Sequence, residues 1–216
     1  MSDFRLNRVF SRPLTRALLK TPVTPNQVTF TSLLFGLLAG FLFSKGDYFH
    51  SLAGAGCYQL AVVLDNCDGE VARAKNRRSE FGGWLDIAAD FLTDVALFTG
   101  VTLGVLRQGT PGPARVFLIL CLSGASMHFL LVVMEKLKGF GPAVFNAPHP
   151  EHEKRRTIFL GIFDAFREGE ASWLVLFLAV VGQTSFLLWA GGFYMQLLWI
   201  SALVINFKWI SGKPAK

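Results

Sequence analysis

The stretch LDNCDGEVARAK, Leu64 to Lys75, sets two aspartates at the close of a long apolar run. FGGWLDIAAD, Phe81 to Asp90, sets two more at the opening of the next. Asp65 and Asp68 are three residues apart, and Asp86 and Asp90 are four apart. Each pair therefore shares one face if both runs are helical. The link KNRRSE is short enough to fold the runs into a helical hairpin, which brings all four carboxylates to the same end. An isolated charge at mid-bilayer costs roughly 2.5–3.5 kcal/mol on insertion scales, and four together also repel. Hard oxygen donors gathered in this way suit Mg²⁺, Mn²⁺ or Ca²⁺. Pairing with Arg73, Arg77 or Arg78 is the alternative that needs no metal.

The rest of the chain says why these runs read as membrane spans. Of its 216 residues 52% are hydrophobic and only 17% charged, where soluble domains carry about 25%. Stretches near the ~20 residues needed to cross a ~30 Å hydrocarbon core are expected at 26–44, 50–74, 82–106, 113–135, 171–183 and 186–209. The fold class is all-α integral membrane, with six transmembrane helices preceded by an amphipathic N-terminal interfacial helix. This divides the chain into a cytoplasmic entry segment at 1–25, a membrane domain at 26–210 and a tail at 211–216. The composition leaves no place for a second soluble domain and gives no sign of a nucleic-acid partner. Cys57, Cys67 and Cys121 all lie in apolar runs and read as small buried residues rather than a disulfide framework.

Orientation follows from the cations. Five Lys/Arg precede Pro25, four fall between Arg73 and Arg78, six between Lys136 and Arg167, and three from Lys208 onward, which is 18 of 21. The opposite loops hold Lys45, Arg107 and Arg115. By the positive-inside rule both termini, and the aspartate end of the hairpin, face the cytoplasm. In the entry segment Leu6, Val9, Phe10, Leu14, Ala17 and Leu18 follow helical spacing, with Arg5, Arg8, Arg12, Arg16 and Lys20 on other faces. Such a helix suits an anionic lipid surface, and Pro13 is expected to break it in two. The N-terminus lacks the uninterrupted apolar core of a signal peptide.

The pattern D-x2-D-G-x2-A-R-x8-G-x3-D-x3-D is met by Asp65, Asp68, Gly69, Ala72, Arg73, Gly82, Asp86 and Asp90. It resembles the signature of the CDP-alcohol phosphotransferases, and TPNQVT, Thr24 to Thr29, resembles that family's entry to its first span. The resemblance implies transfer of a substituted phosphate from a CDP-alcohol donor to an acceptor hydroxyl, with release of CMP. It implies two Mg²⁺ or Mn²⁺ ions on Asp65, Asp68 and Asp86, with Asp90 completing the site and serving as general base. Gly69, Ala72, Arg73, Pro25, Asn26 and Thr29 would line the CDP pocket, and the assembly would be a homodimer in membrane lipid. CDP-diacylglycerol, giving a phospholipid, is the default donor. DNCDGEVARAK and LLKTPVTPNQVT also resemble the branch that joins CDP-inositol to inositol phosphate.

The acceptor is read from cations and from a deeper pair. Arg77, Arg78, Lys154, Arg155 and Arg156 either grip a phosphorylated acceptor or are ordinary cytoplasmic charges. Asp94, one turn beyond Asp90, and His128, in the fourth span, either shape the acceptor pocket or are satisfied by hydroxyls between helices. His149 and His152 have metal-like spacing within a Pro-rich loop. Glu70 falls about 140° around the helix from Asp65, toward a neighbouring helix. A divalent-cation transporter is the reading from another class. It explains the carboxylates, but not Gly69, Ala72, Arg73 and Gly82 in their register.

Overall fold

The structure, a computed structural model, describes residues 6–109, 112–137 and 171–210, which are helical throughout with no strand. Seven helices follow in order: α1 Leu6–Leu19, α2 Pro25–Phe43, α3 Tyr48–Ala74, α4 Glu80–Arg107, α5 Ala114–Leu137, α6 Ala171–Val180 and α7 Ser185–Ile210. Their starts are chemically marked. Thr24 caps α2 in a capping box with Gln27, and Pro25 takes the first turn, where its missing N–H is no loss. Asp47 caps α3 and Ser79 caps α4 through the Gly82 N–H at 3.0 Å.

The turn between α3 and α4 is fixed with similar economy. Asn76 adopts φ 54, the left-handed conformation that asparagine tolerates better than most residues. The Arg77 N–H reaches the Ala72 carbonyl at 3.0 Å and the Asn76 N–H reaches that of Arg73 at 3.3 Å. This is the paired closure of a Schellman motif. It reverses the chain within five residues.

Yet α3 and α4 scarcely touch, and this departs from the expected hairpin. Both pack instead along α2, which lies between them. The reason is small residues on α2 and α4. A Cβ on Gly40 would overlap the Ala96 carbonyl, one on Gly100 would overlap the Gly40 carbonyl, and one on Gly104 would overlap that of Phe43. Gly40, Gly100 and Gly104 thus press backbone to backbone, while Gly36 makes room for the Thr93 side chain, the close approach that small residues permit between membrane helices.

α1 lies on α3, while α5 and α7 pack together against α4. A large apolar cluster around Phe43, Val101, Phe117 and Leu188 fills the end of the bundle away from the aspartates. A smaller one, Val28, Val63 and Cys67 with Leu14 and Leu18, joins α1, α2 and α3 beneath them. The three cysteines are free, with Cys67 and Cys121 buried.

α2, α4 and residues Ala114–Met134 of α5 are long and apolar enough to cross a membrane. α3 is 27 residues long, but Asp65, Asp68, Glu70 and Arg73 interrupt its apolar character. Outward faces carry large apolar side chains, among them Phe30, Leu34 and Phe41 on α2 and Ile119 and Leu130 on α5. Exposed apolar surface of this extent marks a lipid or protein contact. Pro13 does not split α1, which runs unbroken from Leu6 to Leu19. Pro13 sits on its exposed side, so the ring meets no packed helix.

Candidate active site

Where α2, α3 and α4 converge, a cavity of about 250 Å³ opens beside the Schellman turn. From α2 come Pro25, Asn26 and Thr29, and from α3 Asp68, Gly69, Ala72 and Arg73. Arg77, Arg78 and Ser79 line it from the turn, and Gly82, Gly83 and Asp86 from the start of α4. Residues far apart in sequence thus meet because α2 wedges between α3 and α4. The gap that this wedge leaves is the cavity.

Carboxylate oxygens of Asp65, Asp68 and Asp86 come within 4.8 Å of one another. Asp68 is buried, at 7% exposure, while Asp65 and Asp86 are half-buried. Thr29 Oγ1 donates to Asp68 Oδ2 in a short hydrogen bond and to the Pro25 carbonyl at 3.2 Å. Its hydroxyl therefore orients Asp68, although the residue also lines the cavity. Asp90, one turn along α4 from Asp86, is exposed and lies within the electrostatic reach of Asp65, Asp86, Asp94 and Asp68.

An all-oxygen set of this compactness fits a hard divalent cation. Two ligands on one octahedral Mg²⁺ at ~2.1 Å stand at most ~4.2 Å apart. Carboxylate oxygens within 4.8 Å of one another are close enough to be drawn onto a bound cation by small side-chain shifts.

Glycines shape the cavity by leaving room. A Cβ on Gly69 would sit 3.4 Å from Arg73 Nη1, so the guanidinium folds across that position one turn away. A Cβ on Gly82 would stand 2.8 Å from Asn26 Oδ1 and 3.0 Å from Ser79 Oγ. Any side chain there would push Asn26 out of the cavity.

Other expectations are placed differently. Asp94 lies beyond the carboxylate cluster, in the field of Tyr58 on α3 and of Cys121 on α5. His128 is half-buried on α5 and is not among the residues lining the cavity. Glu70 faces α1, where Thr15 Oγ1 donates to it at 2.6 Å. Lys154, Arg155, Arg156, His149 and His152 fall outside the described residues.

Sequence reasoning missed Lys136. Its ammonium stands over the Trp84 ring, 4.5 Å from the centroid, beside Gly83 and in the field of Asp86 and Glu80. The sequence signal was only a cation closing an apolar span. That α5 ends next to the start of α4 is a tertiary fact.

The profile of the CDP-alcohol phosphatidyltransferase family matches residues 22–203. The chain belongs to this family. It is 30% identical over 190 residues to the bifunctional IPC transferase and DIPP synthase of Archaeoglobus fulgidus, covering 83% of this chain and 36% of that protein. It is 39% identical over 84 residues to the archaetidylinositol phosphate synthase of Pyrococcus horikoshii, covering 39% of this chain and 43% of that protein. The chain thus spans less than half the length of these curated relatives. Among solved structures, the phosphatidylinositol phosphate synthase of Mycobacterium tuberculosis with CDP-DAG bound superposes with a TM-score of 0.57 at 20% identity, covering 94% of this chain and 92% of that one. The same enzyme with manganese and citrate gives 0.54 at 20% identity, covering 93% and 87%. The family member's fold is shared.

Proposed function

We propose that the chain transfers a substituted phosphate from a CDP-alcohol to the hydroxyl of a phosphorylated polyol, releasing CMP. The observation that carries this is the meeting of Asp68 and Asp86, clustered with Asp65, with Arg73, Asn26 and Gly69 around one cavity. CDP-diacylglycerol is the donor that best suits it, since lipid tails stay in the apolar layer while the CDP head enters. The CDP-DAG complex of the M. tuberculosis synthase supports that choice. CDP-inositol is the second reading, supported by the A. fulgidus relative's name as a DIPP synthase. The related inositol phosphate synthases support a phosphorylated polyol acceptor, as do Arg77 and Arg78 at the cavity and Lys136 beside Gly83, which lines it.

In this reading Asp65, Asp68 and Asp86 hold two Mg²⁺ or Mn²⁺ ions, with Asp90 completing the set. Bound divalent ions supply the positive charge that lets an anionic pyrophosphate accept a nucleophile and lets CMP leave. Thr29 keeps the Asp68 carboxylate aimed into the cavity. Arg73, folded over Gly69, presents guanidinium donors to the donor's phosphates. Asp90 is the most exposed of the four carboxylates, and it takes the proton from the attacking hydroxyl. The acceptor oxygen bonds to the β-phosphorus as the bridge to the α-phosphate breaks.

The same reading sets six spans over residues 26–210, with the 1–25 segment at the membrane surface and a tail at 211–216. Both termini face the cytoplasm, as the cation count supports, and the protein acts as a homodimer. Purified protein with Mn²⁺, offered CDP-diacylglycerol or CDP-inositol and a panel of free and phosphorylated polyols, tests the reaction by CMP release. Metal-dependent CMP with a phosphorylated polyol is expected, and Asp90→Asn should reduce it by at least a hundredfold. Near-normal turnover in that variant removes Asp90 as base. No CMP from either donor refutes the whole reading.

A further inference from the structure

α1 is built inside out for a helix packed against a bundle. Asn7, Ser11 and Thr15 form its buried side, while Leu6, Val9 and Phe10 are exposed. Buried hydroxyls and amides need partners, and α3 supplies most of them. Thr15 Oγ1 donates to Glu70 Oε2 at 2.6 Å and Ser11 Oγ to Glu70 Oε1 at 3.4 Å, so α1 engages both oxygens of one carboxylate. Cys67 Sγ donates to the Ser11 carbonyl at 3.5 Å. Lys75 Nζ donates to the carbonyls of Thr21 and Val23 at 2.7 and 2.8 Å, and to that of Leu18 at 3.3 Å, which ties the last turn of α1 and the link after it to α3. Gln59 Nε2 donates to Asn7 Oδ1 at 2.7 Å farther along.

The carboxylate in this latch is two residues from Asp68, about 200° around the helix at 100° per residue. α3 therefore has two polar edges, one held by α1 and one facing the cavity. The cavity edge repels itself, because Asp65 and Asp68 crowd Asp86 with no close helix contact between α3 and α4 to resist displacement. The latch on the far edge adds to the packing on α2 and the Thr29 bond to Asp68 in opposing a rotation of α3 that would carry the aspartates apart. We propose that Glu70, gripped by Thr15 and Ser11, is a positioning residue: it fixes the rotation and depth of α3 so that Asp65 and Asp68 stand ready for the divalent cation they share with Asp86. This rests on the metal reading above and assigns Glu70 no contact with substrate.

The test titrates Mn²⁺ into the purified full chain in detergent and follows the free-ion paramagnetic resonance signal. It compares the unsubstituted chain with Thr15→Val, Glu70→Gln and Thr15→Ser. Loss of a hydrogen bond to a charged group corresponds to roughly a tenfold change or more. Thr15→Val and Glu70→Gln should weaken Mn²⁺ binding about tenfold, while Thr15→Ser, which keeps the hydroxyl, stays within about twofold. Turnover in Thr15→Val should recover at saturating Mn²⁺, placing the defect in half-saturation rather than in the maximal rate. Unchanged Mn²⁺ affinity in Thr15→Val overturns the inference even if the variant melts earlier, since the latch would then be structural only. Thr15→Val is nearly isosteric and decides the matter if Glu70→Gln does not fold. No Mn²⁺ binding by the unsubstituted chain overturns the metal reading and this inference with it, so the two failures are distinct.

Discussion

Replacing Gly100 by alanine adds one methyl group where α4 presses on α2. The new Cβ would stand 2.7 Å from the Gly40 carbonyl carbon and 2.8 Å from its Cα. The Gly40 carbonyl oxygen is closer still, and carbon–oxygen contacts settle at about 3.3 Å or more, so the two helices must part by about 1 Å. The obstacle is main chain, which cannot rotate aside as a side chain can. Overpacking of this kind costs about 1–3 kcal/mol, and a backbone obstacle argues for the upper end. Alanine's better helix propensity returns at most about 1 kcal/mol, leaving a net loss near 2 kcal/mol. Gly56, inside α3, is the control, because its Cβ meets nothing within 4 Å. There the same substitution should stabilise by up to about 1 kcal/mol.

At about 2–4 °C per kcal/mol for a chain of this size, Gly100→Ala should melt roughly 4–8 °C lower. Gly56→Ala should melt unchanged or slightly higher. Thermal unfolding of both in one detergent measures it. The separation also has a functional reading, since α2 carries Asn26 and Thr29 while α4 carries Asp86. Equal shifts in the two variants, or a stable Gly100→Ala, would refute the claim that this seam sets the spacing of α2 and α4.

Two further outcomes are expected. Mn²⁺ at a hundred times its dissociation constant should stabilise the chain by about 2.7 kcal/mol, and EDTA should reverse this; Asp68→Asn should abolish most of the gain, and a melting temperature indifferent to metal in the unsubstituted chain would contradict the cluster's role. Lys136→Met keeps the stem over Trp84 but removes the charge, so KM for a phosphorylated polyol should rise about tenfold or more with kcat little changed; an equal loss with the unphosphorylated polyol would show that Lys136 does not face the phosphate.

The helices were legible because their signals are local. The apolar runs give helices whose ends fall within a few residues of expectation, and Thr24, Asp47 and Ser79 cap three of them in the structure. The aspartate cluster was legible for the same reason, since helical spacing and a short link put Asp65, Asp68 and Asp86 at one end. What the sequence did not yield is contact between helices. Nothing local says that α2 separates α3 from α4, because the glycine seam is a complementarity between Gly40 and Gly100, sixty residues apart. Lys136 looked like any cytoplasmic charge until α5 was seen to end beside Trp84. That the Thr29 hydroxyl, at the cavity, also bonds Asp68 is likewise a contact between helices that no local signal carries. Pro13 misled because proline is a strong local signal, and an exposed position on α1 tolerates what a packed one would not.

The division of the cavity among elements has a practical consequence. Everything proposed to handle metal and CDP comes from one continuous piece, Pro25 to Asp90, while Lys136, beside Gly83, arrives from α5. The same piece carries Arg77, Arg78 and the proposed base Asp90, so α5 adds a single cation to a site otherwise built from one stretch of chain. An engineer could vary Lys136 to tune acceptor preference and leave the reaction engine as it stands.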